Sequence, residues 1–147
     1  MTPQQTAEAV AIDMMAKDRA SQGLGMRVAR IAPGTADIEM VVREDMLNGF
    51  AICHGGYLTL LADSAFAFAC NSYNEFTVAS GLSIDFMAPA HAGDVLTARA
   101  VEVSRRGRTG VYDVDVCNQR GERLAVFRGR SHSVKGRPVV ASPDADA

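Results

Sequence analysis

The amino-acid sequence predicts an α+β fold in which an antiparallel sheet wraps around one long central helix. Three observations lead there. Residues 56–72 are apolar on nearly every side of a helix, and such a helix has to be enclosed by the rest of its domain. Strand-like segments follow it between residues 76 and 134, separated by short polar or glycine turns that favour antiparallel neighbours. Two further strand-like segments precede it, joined at Pro33-Gly34 in a hairpin pattern.

Taken in order, Thr2-Pro3-Gln4-Gln5 is a helix start: Thr2 can cap, Pro3 suits the first helical position and Gln5 can close a capping box. That helix is expected to run to about residue 17 or 19, with Ala7, Val10, Met14 and Met15 as a rough apolar stripe, and Gly23 and Gly25 end the region. Residues 26–31 and 35–42 form the hairpin, and residues 43–46 lead into an Asn48-Gly49 turn before the central helix. Residues 76–87 read as a strand broken or bulged near Ser80-Gly81. Residues 94–104 alternate through Leu96, Ala98 and Ala100. Residues 109–118 alternate with Val111, Asp113 and Asp115 on one face and Tyr112, Val114 and Val116 on the other. Residues 123–134 are the last strand, and Gly107 and Gly121 mark tight turns. The chain of 147 residues is read as a single domain over residues 1–135, followed by a mobile tail over residues 136–147 that is rich in Pro, Ser, Asp and Ala.

Composition excludes several classes. A net charge of −2 argues against a general nucleic-acid binder, though it leaves room for a local basic pocket. Cys53, Cys70 and Cys117 make neither an even disulfide set nor a C-x-x-C pair, which suits a reducing compartment. No signal-peptide pattern opens the sequence, and no apolar run reaches membrane-span length. The expectation is a soluble cytoplasmic protein with no membrane partner.

The chemistry concentrates in residues 48–71. Asp63 stands in the middle of the apolar helix, where an ionised carboxylate is costly unless partnered, and a partly desolvated Asp can deliver water or attack a carbonyl carbon itself. The bland alternative is an Asp held in local hydrogen bonds. His54-Gly55-Gly56 leads into the helix; two glycines let a ligand approach closely, and free N–H groups at a helix start suit an oxyanion. The alternative there is a plain loop-to-helix turn, with His54 orienting the turn or moving a proton. Asn48 is a turn residue made into a site candidate by its position just before this step. Ser80 is either a hydroxyl near the Asp63 water or a polar residue at a bulge. Cys53 and His54 are adjacent and point apart in an extended segment, which disfavours a nucleophilic pair, and no second His stands at metal-ligand spacing. Arg128 and Arg130 share one face of the last strand and, with Arg105, Arg106, Arg108 and Lys135, are candidates for phosphate contacts, the alternative being a solvated edge. Tyr57 and Phe66 are core residues or walls of a ligand pocket.

Spacing adds one constraint. Gly55 and Asp63 are eight residues apart, about 12 Å of helical rise, too far for a base and an oxyanion donor to serve one carbonyl from one chain. Two antiparallel central helices across a two-fold axis would bring one chain's Gly55 beside the other's Asp63.

The motifs MLNG (46–49), CHGG (53–56), LADSAFAFACNS (61–72), SIDFMAPAHAGD (83–94), TGVYDVDV (109–116) and FRGRSH (127–132) together resemble the PaaI-type thioesterases of phenylacetate degradation, over about residues 20–135. The resemblance implies the hotdog fold and hydrolysis of acyl-CoA thioesters with arylacetyl groups such as hydroxyphenylacetyl. It implies a homotetramer, a dimer of dimers whose site is shared between two chains. By matching motif, Asp63 would be general base or nucleophile, the Gly55 N–H the oxyanion donor, and Asn48 a positioning residue. His54, Gly56, Ser80, Arg128 and Arg130 are the substrate-binding candidates. No metal or redox cofactor is implied, because CoA is part of the substrate. Two rival readings are a hotdog enoyl-CoA hydratase or dehydratase, using His54 with Asp63, and a non-catalytic acyl-CoA-binding module.

Overall fold

The computed structural model describes residues 1–141. Helix α1 (Pro3–Lys17) opens on the expected capping box: Thr2 Oγ1 accepts the Gln5 N–H at 3.1 Å and Gln5 Oε1 accepts the Thr2 N–H at 2.9 Å. The helix ends at Asp18, which caps a separate short helix, α2 (Arg19–Gly23), by accepting the Ser21 N–H at 3.0 Å. The sequence pattern predicts no second helix there, only a region ended by Gly23 and Gly25. Strands β1 (Arg27–Ala32) and β2 (Thr35–Val41) form the hairpin, turning at Gly34 with φ of +77°. A 3-10 turn (Glu44–Met46) leads to the long helix α3 (Gly55–Asn71). Strands β3 (Thr77–Phe86), β4 (Val95–Arg106), β5 (Thr109–Cys117) and β6 (Arg123–Ser133) complete a six-stranded sheet, ordered β1-β2-β4-β5-β6-β3 and antiparallel throughout. The fold is the hotdog. The irregularity expected near Ser80 is present, between Ala79 and Gly81.

The sheet wraps α3 because each central strand alternates. Ala36, Ile38 and Met40 of β2, Leu96, Ala98 and Ala100 of β4, and Tyr112, Val114 and Val116 of β5 are buried, while their neighbours along each strand face outward. Against them α3 buries Leu58, Leu61, Ala62, Ala65, Phe66, Phe68 and Ala69. Two of the three β4 side chains, Ala98 and Ala100, are small, whereas Leu96 is one of the larger fully buried side chains. Phe66 fills the space towards β5 and β6, edge-on to Tyr112 with ring centroids 5.6 Å apart and tilted against Phe127 at 5.9 Å. Beneath it lies Gly129, where a Cβ would stand 2.8 Å from the Phe66 ring. Gly129→Ala should therefore lower stability by about 1–3 kcal/mol through overpacking, measurable as a lower midpoint in urea with an unchanged slope.

Two boundaries of the sheet bear on function. β3 is an edge strand, hydrogen-bonded to β6 alone, and its Leu82 and Phe86, opposite the buried Gly129 and Ala125, remain 40 % and 52 % exposed. The edge thus carries open backbone groups and an uncovered apolar stripe. At the other extreme, residues 136–141 were expected to belong to a mobile tail, yet the Val139 and Val140 N–H groups donate to Asn74 Oδ1 at 3.0 and 2.9 Å, and the Phe76 N–H donates to the Arg137 carbonyl at 2.7 Å. Composition had no means of showing those partners. Residues 142–147, the rest of that tail, lie outside the described residues.

Candidate active site

The loop before α3 is built around Asn48. Its Oδ1 accepts the Phe50 N–H at 2.9 Å and the Ile52 N–H at 3.4 Å, its own N–H donates to the Ile52 carbonyl at 2.8 Å, and Ala51 takes a left-handed φ of 59° between them. The Asn48 carbonyl-type oxygen is thus spent on holding the loop, and the amide nitrogen is the part left to meet a ligand. His54 caps α3: its N–H donates to the Met46 carbonyl at 2.8 Å, and its Nδ1 accepts the Gly56 N–H at 3.2 Å. This favours the orienting role for His54 and corrects the reading of Gly56 as a free donor, since its N–H is already taken. The Gly55 N–H finds no partner among the described residues. An unpaired N–H at the positive end of a seventeen-residue helix is suited to a developing oxyanion. The ring of Phe86 lies over Gly55, 2.9 Å from where a Cβ would be, so only glycine leaves that amide approachable with the ring in place.

Asn48, Cys53, Gly55, Leu58, Phe86 and Met87 line one open cavity of about 510 Å³. Asp63 lines another, of about 320 Å³, with Met14, Phe66, Phe76, Thr77, Val78 and Val139 among its neighbours. The base candidate and the oxyanion candidate of one chain thus face different cavities, in line with the spacing of eight residues along α3. Phe66 is both core and wall, and Tyr57 packs partly buried against the core.

The surroundings of Asp63 raise its pKa above the ordinary carboxylate value, chiefly by burial and secondly by repulsion from Asp18. Asp18 is held nearby by a directed chain. Ser21 Oγ donates to Asp18 Oδ2 at 2.6 Å; having one proton to give, it must accept from Ser64 Oγ at 2.9 Å, and Ser64 adjoins Asp63 on α3. Ser21 and Ser64 are both buried. The sequence reading missed this network, although Asp18-x-x-Ser21 is a helix-cap spacing that could have drawn attention to it. Burial also pushes the Cys70 thiol, in the same cavity, up to about 12, and raises the Cys53 thiol, so neither is poised as a thiolate.

Other candidates sit elsewhere. Ser80 is exposed at the β3 bulge and donates to the Arg130 carbonyl at 3.1 Å; the Asp63 cavity is lined instead by its neighbours Thr77, Val78 and Ala79. Arg128 and Arg130 share the outer face of β6 as expected, but Arg128 is clamped by Asp113 through two bonds of 2.7 and 2.9 Å, in a hollow that also holds Asp85 and Asp115. A phosphate there would compete with that carboxylate. The Arg130 guanidinium packs over Gly81. The basic side chains that do converge are Arg105, Arg108 and Lys135, around a hollow of about 330 Å³ with Glu75. Among the described residues, no cluster of three or more His, Cys, Asp or Glu is placed to hold a metal ion, and no helix is long and apolar enough to cross a membrane.

Comparison with known proteins bears on this arrangement directly. The family profile of the thioesterase superfamily matches residues 50–125, the stretch that carries the His54-Gly55-Gly56 step and Asp63. The chain belongs to the thioesterase superfamily. This thioesterase is 46 % identical over 124 residues to the acyl-coenzyme A thioesterase PaaI of Escherichia coli, covering 84 % of its own length and 88 % of that protein. It superposes on the crystal structure of E. coli PaaI, from the phenylacetic acid degradation operon, with a TM-score of 0.91 at 42 % identity, covering 92 % of its own length and 99 % of that chain. A Streptococcus pneumoniae thioesterase crystallised with coenzyme A matches with a TM-score of 0.73 at 26 % identity, over 76 % of this chain and 90 % of that one. The resemblance read from the motifs is thereby established at the level of family and fold. The first two strands and Asn48 lie ahead of the profile match, and Arg128 and Arg130 lie beyond it.

Proposed function

We propose that this thioesterase hydrolyses acyl-CoA thioesters whose acyl group is of the arylacetyl class, at a site shared between two chains. The observation that carries the reading is the pairing on α3 of an unpartnered Gly55 N–H with a carboxylate, Asp63, whose pKa is raised, each facing its own cavity. In the shared site, Asp63 of one chain acts as general base or nucleophile towards the thioester carbonyl. As a base it takes a proton from water, the hydroxide adds to the carbonyl carbon, and the oxyanion is received by the Gly55 N–H of the second chain. Collapse breaks the C–S bond, and the CoA thiolate leaves with the proton held by Asp63. The chemistry needs only water, the carboxylate and the N–H donor. Asn48 contributes its amide nitrogen to positioning.

Two features support a dimer through β3. The edge strand has open hydrogen-bonding groups, and Leu82, Phe86 and Met87 leave an apolar stripe beside the Gly55 cavity. Joining two such edges about a two-fold axis buries both stripes and sets two central helices antiparallel. Association of two such dimers would give the tetramer. The similarity to E. coli PaaI favours arylacetyl groups, and the small, mainly apolar Asp63 cavity, at the low end of the about 300–1,000 Å³ typical of ligand pockets, fits one ring better than a long chain. A thiol-release screen over phenylacetyl-, hydroxyphenylacetyl- and straight-chain acyl-CoA tests this: arylacetyl thioesters should show the highest kcat/KM. Hydration of an enoyl-CoA without thiol release would support the hydratase reading instead.

The raised Asp63 pKa has a measurable consequence. A base must be ionised, so kcat/KM should fall on the acid side at a pH above the ordinary Asp range. Asp18→Asn removes the repulsion that contributes to the shift, and the acid limb should move to lower pH in a pH–rate profile. For the nucleotide end of CoA, Arg105, Arg108 and Lys135 offer a hollow with more cationic than anionic side chains. Their joint replacement by Ala should raise KM by about tenfold or more with little change in kcat, the pattern of lost uniform binding, and leave truncated thioesters without a nucleotide unaffected.

A further inference from the structure

The Asp63 cavity is closed on one side by a segment that no helix or strand contains. Val139 lines it, together with Met14 from α1, Phe66 and Ala67 from α3, and Phe76 and Val78. Residues 137–140 reach this place through a compact set of bonds. Asn74 Oδ1 accepts both the Val139 and Val140 N–H groups, and Asn74 Nδ2 donates to the Val140 carbonyl at 3.0 Å. The Phe76 N–H donates to the Arg137 carbonyl, the Val134 N–H donates to the Phe76 carbonyl at 2.8 Å, and the Arg137 guanidinium lies 4.0 Å over the Phe76 ring. Asn74 has φ of +65°, a conformation that asparagine tolerates better than almost any residue except glycine. One side chain therefore meets two demands: it turns the chain between α3 and β3, and its amide grips the backbone of a segment some 65 residues further on. A segment outside every helix and strand would otherwise stay loose, since ordering it costs entropy that such bonds help to offset.

We propose that residues 137–140, gripped by Asn74, are a specificity-determining wall of the acyl pocket, with Val139 as the side chain that limits the size of the acyl group. The inference rests on the reading of the Asp63 cavity as the acyl site and adds to it the element that sets its selectivity. The physical basis is local. Met14, Phe66 and Phe76 are anchored by a helix, the core and a strand end, whereas Val139 rides on a segment whose hold is the Asn74 amide and the neighbouring Phe76 bonds. It is the wall that can change without disturbing the sheet or α3, and a pocket of about 320 Å³ is small enough for one side chain to alter what enters.

The test compares kcat/KM for acetyl-CoA, phenylacetyl-CoA and decanoyl-CoA across Val139→Ala, Val139→Phe and Asn74→Gly. Glycine preserves the left-handed turn and removes the amide alone. Val139→Phe should reduce the ratio of phenylacetyl-CoA to acetyl-CoA turnover by about tenfold or more, and Val139→Ala should raise the ratio of decanoyl-CoA to acetyl-CoA. Asn74→Gly should shift acyl preference in the same direction as Val139→Ala, with a thermal melt that remains cooperative. If one of these variants does not fold, the others carry the comparison. Variants that scale all three substrates by the same factor, in an enzyme that Asp63→Asn inactivates, overturn the inference alone. An Asp63→Asn enzyme that retains full thiol release overturns the reading of the site and the inference with it.

Discussion

Asp63→Asn should lower kcat for thiol release by about 10²–10⁴-fold while the protein stays folded and still binds its substrate, because an amide can neither accept the proton of water nor act as a carboxylate nucleophile. KM should change far less than kcat. The stability of the variant provides a second readout, and its sign follows from the environment of the carboxylate. Burial, and then Asp18, raise the pKa of Asp63, so the folded protein keeps that proton to a higher pH than the unfolded chain does. Between the ordinary Asp pKa and the raised one, the folded state binds more protons, and stability falls as pH rises through that window. At neutral pH the ionised group is a burden on the fold. Asn removes it, and the variant should melt at or above the temperature of the parent at pH 7, with the advantage shrinking below the ordinary Asp range. Loss of activity accompanied by a lower melting temperature at pH 7 would assign Asp63 to a structural network instead. Single-turnover hydrolysis in ¹⁸O-labelled water separates general-base catalysis from direct attack when the mixed anhydride formed by Asp63 is opened by water at the Asp63 carbonyl: the first product then carries unlabelled oxygen and Asp63 the label, whereas activated water puts the label in the first product.

A mixture of two strongly impaired proteins should regain about one quarter of wild-type activity. If one chain carries Asp63→Asn and the other Asn48→Ala, each homodimer has a defect in both of its sites. In a hybrid, one site collects both substitutions and the other neither. Random association makes half of the dimers hybrid, each with one of two sites intact, which yields the quarter. Asn48→Ala also removes the oxygen that holds the Phe50 and Ile52 N–H groups, so Asn48→Asp, which keeps an acceptor there, separates loop support from contact through the amide. Co-expression followed by thiol-release assay makes the measurement, with hybrid formation counted by native mass spectrometry. Hybrids that form without recovering activity mean that Asn48 and Asp63 do not meet across an interface. Sedimentation of the active enzyme as a monomer would have the same force.

Much of the fold and part of the site was legible in the residues themselves. Alternation of side chains along Leu96-Thr97-Ala98-Arg99-Ala100 and Val111 to Val116 is a direct image of a sheet with one buried face, and it placed β4 and β5 within a residue or two of where they lie. The all-round apolar character of α3 demanded enclosure, and a run of antiparallel strands could supply it in few ways. The capping box at Thr2 is an effect of short range, and sequence neighbours suffice to determine it, while the irregularity at Ser80, a shift of register against β6, was signalled by the adjoining Gly81. Short range also governs the rise between Gly55 and Asp63, which is a property of any helix and already kept the oxyanion candidate and the base candidate apart.

What only the tertiary structure decided involves, apart from the His54 cap, partners far apart in the chain. Gly55 and Gly56 are alike in sequence, and it took the placement of the His54 ring to leave one N–H paired and the other open. Arg128 and Arg130 resembled a phosphate fork until Asp113, opposite on β5, was seen to hold Arg128, while Arg105, Arg108 and Lys135 met across a hairpin turn and the end of β6. Asp18 reaches the neighbourhood of Asp63 through two buried serines 43 positions apart, and Asn74 holds Val140 across 66. A side chain's affinity for water, turn or strand is written in its own covalent structure and its near neighbours. Its hydrogen-bond partner and its electrostatic company are set by which distant segments the sheet register brings within 3 Å, and those distances exist only once the chain has closed around α3.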